Sequence, residues 1–165
     1  MNTTETEESN FNIIRKEPLA RDEMGELLMI SAKLHLDEII RITSLNDSIE
    51  SKKPNRRAAI GCYMMLCGLA IENFAKGKLS SDQTSHSISK IVPKLINHLS
   101  VEESDLLLRL EHYSIWAGRY MIPNKKEDYD SSIGEGKLGM NSKDPELIKS
   151  LIVKIRSVRK TSLIS

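Results

Sequence analysis

From Ala58 to Leu79 the chain reads AAIGCYMMLCGLAIENFAKGKL, and the fourteen residues between Arg57 and Glu72 carry no charge. A bilayer-spanning helix takes about 20 consecutive apolar residues, so the run is expected to be the core helix of a soluble protein. Its apolar side chains go all the way round the helical wheel, which requires neighbours on several sides. The rest of the chain must supply that cover. From Glu72 the pattern changes: Glu72 and Lys76 stand four apart, one turn from each other on the same helix face. An acidic and a basic group fixed at the end of a buried helix mark the first place to expect a site.

The covering elements read as helices. Leu, Ile, Met, Lys and Glu recur at spacings of three and four, aromatic residues make up 4% of the chain, and no alternating β-branched run occurs. With 165 residues, one all-α domain with a single core is expected. Residues 1–19 read as a disordered or loosely ordered acidic tail, and residues 20–165 as one helical domain of about five helices. The first helix is expected from Arg21 or Asp22, after Pro18, to about Ser44. Met24, Leu28, Ala32, Ile39 and Ile42 give its apolar face, with Leu27, Ile30 and Leu34 beside them. Asn46 to Arg57 reads as a polar connector, with Pro54 in the first turn of the central helix, where a missing N–H costs nothing.

Beyond the polar segment after Leu79, Ile88, Ile91, Val92, Leu95, Ile96 and Leu99 have helical spacing around Pro93. The helix there either begins near Ser89 or is kinked. Ser100 and Glu103 match a capping box opening a helix with Leu106, Leu107, Leu110, Tyr113 and Trp116, which Gly118 ends. Asn124 to Lys143 is polar with three glycines and reads as a lid or mobile loop. Asp144 and Pro145 then act as cap and first residue of the last helix, whose apolar face is Leu147, Ile148, Leu151, Ile152, Ile155 and Val158.

Charge narrows the function. Lys and Arg total 24 against 23 Asp and Glu, which argues against a protein that holds nucleic acid by bulk electrostatics. Two local basic surfaces remain: Lys52, Lys53, Arg56 and Arg57, and a C-terminal face of Lys149, Lys154, Arg156, Arg159 and Lys160. Each reads either as a phosphate-binding patch or as a solvated face, and cations near a helix C-terminus are also favoured by the dipole. His35 and Glu38 form a single HxxE without a second such pair, so no metal site is expected. Cys62 and Cys67 lie on different faces of the central helix and read as buried thiols of a reducing compartment. The N-terminal MNTTETEESN has neither a basic start nor an apolar run, and a cytoplasmic location is expected.

Two further features single out residues. Gly61 and Gly68, one heptad apart on the central helix, suggest the close approach of another helix, from this chain or from a second subunit across a two-fold axis. WAGRYMIP, Trp116 to Pro123, concentrates the lone tryptophan with Arg119 and Tyr120 where a buried helix gives way to a loop. Arg119 offers a planar fork that either pairs with Glu72 or grips a carboxylate or phosphate ligand.

LAIENFAKGKL, the SHSI that contains His86, and WAGRYMIP, in that order across Arg21 to Pro123, resemble the HEPN superfamily. These are small helical proteins of bacterial toxin, phage-defence and nucleotide-modifying systems. The resemblance implies an up-and-down bundle that dimerises through its central helices. Ribonuclease members carry an Arg and a His separated by four to six residues on one late helix. The chain departs from that pattern, because Arg109 and His112 have only two residues between them and no histidine follows Arg119. A phosphate-cradling glycine loop is also missing.

The reading that follows is a non-catalytic HEPN-like homodimer, without cofactor or membrane contact. It binds a nucleotide, an RNA or a protein partner in a defence or toxin–antitoxin context. Glu72, Lys76, His86, Arg119 and Tyr120 form the expected ligand site: Lys76 and Arg119 hold an anionic group, Glu72 orients Arg119, and Tyr120 stacks or hydrogen-bonds. Gly61 and Gly68 are the expected dimer contacts. The alternative is a divergent metal-independent ribonuclease using His86 or His112 with Arg119.

Overall fold

Proline tolerates the first position of a helix, and the first helix begins on Pro18 itself. The computed structural model describes residues 17–44, 49–79, 85–117, 126 and 138–159, with the side chains of 49–54, 116 and 117 left aside. Among them are five α-helices and no strand: α1 (Pro18–Ser44), α2 (Ile49–Lys78), α3 (Ile88–Ile91), α4 (Val101–His112) and α5 (Asp144–Ser157). The chain is an all-α bundle, as the spacing of its apolar residues requires. Residues 1–16 of the expected tail lie outside the described residues, whereas Pro18 and Leu19 belong to α1.

The bundle is built around α2, which packs against α1, α3, α4 and α5. Met64, Cys67, Ala70, Ile71, Phe74 and Ala75 of α2 are buried among Ile88, Ile91, Leu106, Leu107, Leu110, Ile148, Leu151 and Ile155. Each large side chain so buried contributes roughly 1.5–3 kcal/mol relative to exposure. By length and composition Asn55–Lys78 is long and apolar enough to cross a membrane, although the charge-free run alone falls short. In the bundle 56% of its most apolar 18-residue stretch is buried inside the domain.

The α2 helix begins at Ile49, so the segment expected as a connector is partly helical and Pro54 lies beyond the first turn. Polar side chains do not oppose helix here, since Lys and Glu are among the better helix formers. The sequence marked where burial begins, and the backbone coils earlier. Gly25 lets α1 lie close against α2: a Cβ there would fall 2.6 Å from Cε1 of Phe74. Gly61 and Gly68 of α2 differ. A Cβ on Gly68 would meet the Leu110 carbonyl oxygen at 2.8 Å, so the close approach at Gly68 is to α4 of its own chain. Among the described residues nothing outside its own helix lies within 4 Å of a Cβ built on Gly61. The dimer contact expected at both positions is thus filled from within the chain at Gly68.

The apolar series from Ile88 to Leu99 does not form one long helix. α3 ends at Ile91 and passes into a 3-10 turn, Val92–Lys94, with Pro93 near its start. The proline supplies no N–H for a longer α-helix, and Leu95, Ile96 and Leu99 pack on the core from the non-helical segment that follows. The capping box of α4 is formed as expected: Glu103 N–H donates to Ser100 Oγ at 3.1 Å and Ser100 N–H donates to Glu103 Oε2 at 3.0 Å. After His112 the helix widens into a π turn, Tyr113–Ala117, and its expected stop at Gly118 lies outside the described residues. On α5 the N-cap is Lys143, so Asp144 is the first helical residue and not the cap. Its carboxylate turns to other partners.

Candidate functional site

The C-terminal half of α2 carries Glu72 and Lys76 into the core, where both are buried. Lys76 Nζ donates to Glu72 Oε1 at 2.8 Å, and His86 Nδ1 lies 2.9 Å from the same oxygen. A carboxylate in a buried ion pair only accepts, so Nδ1 carries the hydrogen of that bond. The His86 ring itself is 75% exposed. Glu72 therefore fixes one edge of an imidazole whose other edge is turned toward solvent.

The chain on the far side of His86 is fixed as well. Ser87 Oγ donates to both carboxylate oxygens of Glu111 on α4, at 3.1 and 3.0 Å, and Ser89 N–H donates to Glu111 Oε2 at 2.9 Å. Two carboxylates from two helices thus set the position of one histidine, the ring through Glu72 and the following backbone through Glu111. A ring held this way is restricted in tautomer and orientation, as a general base or a recognition group needs.

This arrangement bears on the role expected of Lys76. Lys76 is buried and paired, so its ammonium neutralises Glu72 and is not presented to an anionic ligand. Glu72 orients His86. Arg119 and Tyr120 lie outside the described residues. His112, half-buried at the end of α4, has an interaction of its own. Glu72, Lys76 and His86 are brought together, and among the described residues no group of three or more His, Cys, Asp or Glu could hold a metal ion.

A second charged assembly, not anticipated from the sequence, ties α4 to the start of α5. Arg109 Nη1 and Nη2 donate to Asp144 Oδ2 and Oδ1 at 2.6 and 2.9 Å, Nε to Asp105 Oδ2 at 2.9 Å, and Nη1 also to the Gly139 carbonyl at 3.0 Å. Asp144 Oδ2 further accepts the Asn141 N–H at 2.7 Å. Hydrogen bonding to Asp144 holds the guanidinium above its ordinary pKa, against the opposing effect of burial. The signal lay in register: Arg109 falls between Leu106 and Tyr113 on the apolar face of α4, and an arginine there demands a buried carboxylate. A cleft of about 510 Å³ opens beside this group, between Val101, Glu102, Asp105, Lys143 and Leu147. Glu72, Lys76 and His86 do not line it.

The C-terminal basic face is largely matched by acids. Lys154 Nζ donates to Glu103 at 2.6 Å, Lys149 to Glu146 at 2.9 Å, and Arg156 pairs with Glu26 while lying 5.4 Å from the Phe74 ring centroid. Burial works to raise the Glu103 pKa, yet the hydrogen bonds from Lys154 and the Ser100 N–H bring it below the usual carboxylate value. Lys154 and Arg156 thereby join α5 to α4 and α1, whereas Lys149 pairs within α5. Arg56 and Arg57 at the end of the other basic run are exposed, and the side chains of Lys52 and Lys53 are outside the described set.

No protein-family model matches the chain, and no curated protein or solved structure matches it either.

Proposed function

We propose that this chain is a cytoplasmic, HEPN-like helical homodimer whose task is binding: it takes a nucleotide, an RNA or a protein partner in a bacterial defence or toxin–antitoxin setting. One observation carries the site. A buried carboxylate, Glu72, grips Nδ1 of His86 while three-quarters of that side chain stays in solvent. An imidazole whose Nδ1 is held in this way offers its other nitrogen as an acceptor to an amino group on a base edge, at little entropic cost. Arg119 and Tyr120 complete the proposed grip as a bidentate anion clamp and a stacking ring.

The test is fluorescence anisotropy with a labelled short single-stranded RNA, and with a labelled nucleotide, on the wild type and on His86→Ala and Arg119→Ala. At least about tenfold weaker binding is expected in each variant, equal to about 1.4 kcal/mol, with the melting temperature unchanged. Equal affinity in all three proteins would discard the site.

The Glu72–His86 pair also favours a second reading, a metal-independent ribonuclease. His86 would take the proton of an RNA 2′-hydroxyl and Arg119 would steady the phosphate, with His112 as the other candidate acid or base. Cleavage of total RNA in the presence of chelator, abolished by His86→Ala or His112→Ala, would establish it. A folded wild type that leaves RNA intact would leave binding.

A further inference from the structure

The α1 helix has two apolar faces. Gly25, Ala32 and Ile39, spaced by sevens, face α2 and the core. Leu27 and Leu34 follow two residues later in the same repeat, about 200° round the helix, and point away from the core. With Leu19, Ile30 and Ile40 they form a row in which every member is more than half exposed, and Met24 borders it. Isolated exposed leucines are ordinary, whereas Leu27, Ile30 and Leu34 follow the 3–4 spacing of a helix-pair seam over about 10 Å, with Leu19 and Ile40 flanking it three heptads apart.

We propose that this outer seam of α1 is the contact between two copies of the chain, packed antiparallel about a two-fold axis near Leu28 and Met29. The proposal rests on the homodimer reading above and moves its contact to a different helix from the one carrying Gly61 and Gly68. Charge and register decide the occupant and the direction. A parallel pair would set Glu23 on Glu23 and Asp37 on Asp37, which like charges oppose. In the antiparallel register Leu27 of one copy meets Ile30 of the other, Leu34 covers the stem of Glu23, and Leu19 meets Ile40. The flanking Glu26 of each copy then comes opposite Lys33 of the other.

Both charged partners are accessible. Lys33, paired with Asp37 along its own helix, is 71% exposed, and Glu26, which also binds Arg156, is 46% exposed. One register therefore finds a partner for the exposed apolar residues of the row and for two flanking charges. A two-fold contact of this kind is self-complementary, as an isologous interface must be.

The test is sedimentation velocity at about 10 μM, with helicity followed by circular dichroism. The wild type is expected at twice the chain mass, and Leu27→Glu with Leu34→Glu at the single mass with helicity unchanged, since neither side chain supports the core. Lys33→Glu and Glu26→Lys are each expected to weaken self-association at least about tenfold and, mixed, to recover a dimer of one chain of each kind. That recovery depends on the antiparallel register alone. A dimer that survives Leu27→Glu with Leu34→Glu would overturn the α1 seam and leave the homodimer reading standing. A monomeric wild type would overturn both, and a failed recovery on mixing would overturn the register.

Discussion

The Arg109 guanidinium and the Asp144 carboxylate lie edge to edge, joined by hydrogen bonds of 2.6 and 2.9 Å, with both side chains buried. This pair fastens the start of α5 to the middle of α4. The Gly139 carbonyl and the Asn141 N–H, bound to the same two side chains, pin the segment that leads into α5. Leu138 and Met140 pack against the core from that segment, so the end of the region expected as a loop is held in place.

Removing one partner leaves the other buried and uncompensated. Asp144→Ala is expected to cost about 3–5 kcal/mol, read as a lower urea midpoint. Arg109→Lys should also destabilise, because an ammonium cannot make the two parallel bonds of the guanidinium fork. A loss under about 1 kcal/mol for Asp144→Ala would place the pair in the energetic class of a surface contact.

The Glu72–Lys76 pair makes a parallel case with an internal control. Glu72→Ala should destabilise by about 3–5 kcal/mol because Lys76 is left charged among apolar neighbours. Glu72→Ala combined with Lys76→Met should recover most of that loss, since the charge has gone and the volume is nearly kept. Strictly additive losses in a double-mutant cycle would mean that the two side chains do not act as a pair.

Gly61 and Gly68 of α2 predict opposite signs. Gly68→Ala drives a Cβ against the Leu110 carbonyl and is expected to destabilise by about 1–3 kcal/mol. Gly61→Ala meets nothing outside its own helix among the described residues and should stabilise by about 0.5–1 kcal/mol. Chemical denaturation of the two variants beside the wild type reads both, and equal shifts would contradict the packing.

Alkaline pH should act through Cys67, whose thiol burial pushes up to about 12, against about 8.5 in an unfolded chain. Between those values the folded thiol keeps a proton that the unfolded chain releases, so stability is full below about pH 8.5 and falls as pH rises through the window. By pH 10 the expected loss from this group is about 2 kcal/mol. Burial raises the Tyr63 hydroxyl in the same direction at higher pH. Cys67→Ala should flatten the fall in urea midpoint between pH 8 and 10, and an equal slope in both proteins would assign the loss to other groups.

The sequence by itself determined the helical class, the buried central helix, the Ser100–Glu103 capping box and the nearness of Glu72 to Lys76. These follow from short-range spacing, because residues three or four apart on a helix share a face whatever the rest of the chain does. His86 was picked out by likeness of motif, but its bond to Glu72 spans 14 residues and required the α2 end and the α3 start to be brought together. Only the tertiary structure decided that Lys76 is spent on Glu72, that Arg109 belongs to Asp144, that Gly68 faces α4, and that α1 keeps an apolar row in solvent. Periodicity shows which residues are apolar on one wheel; which face meets which neighbour is settled by packing across the chain, where one buried charge must find the other.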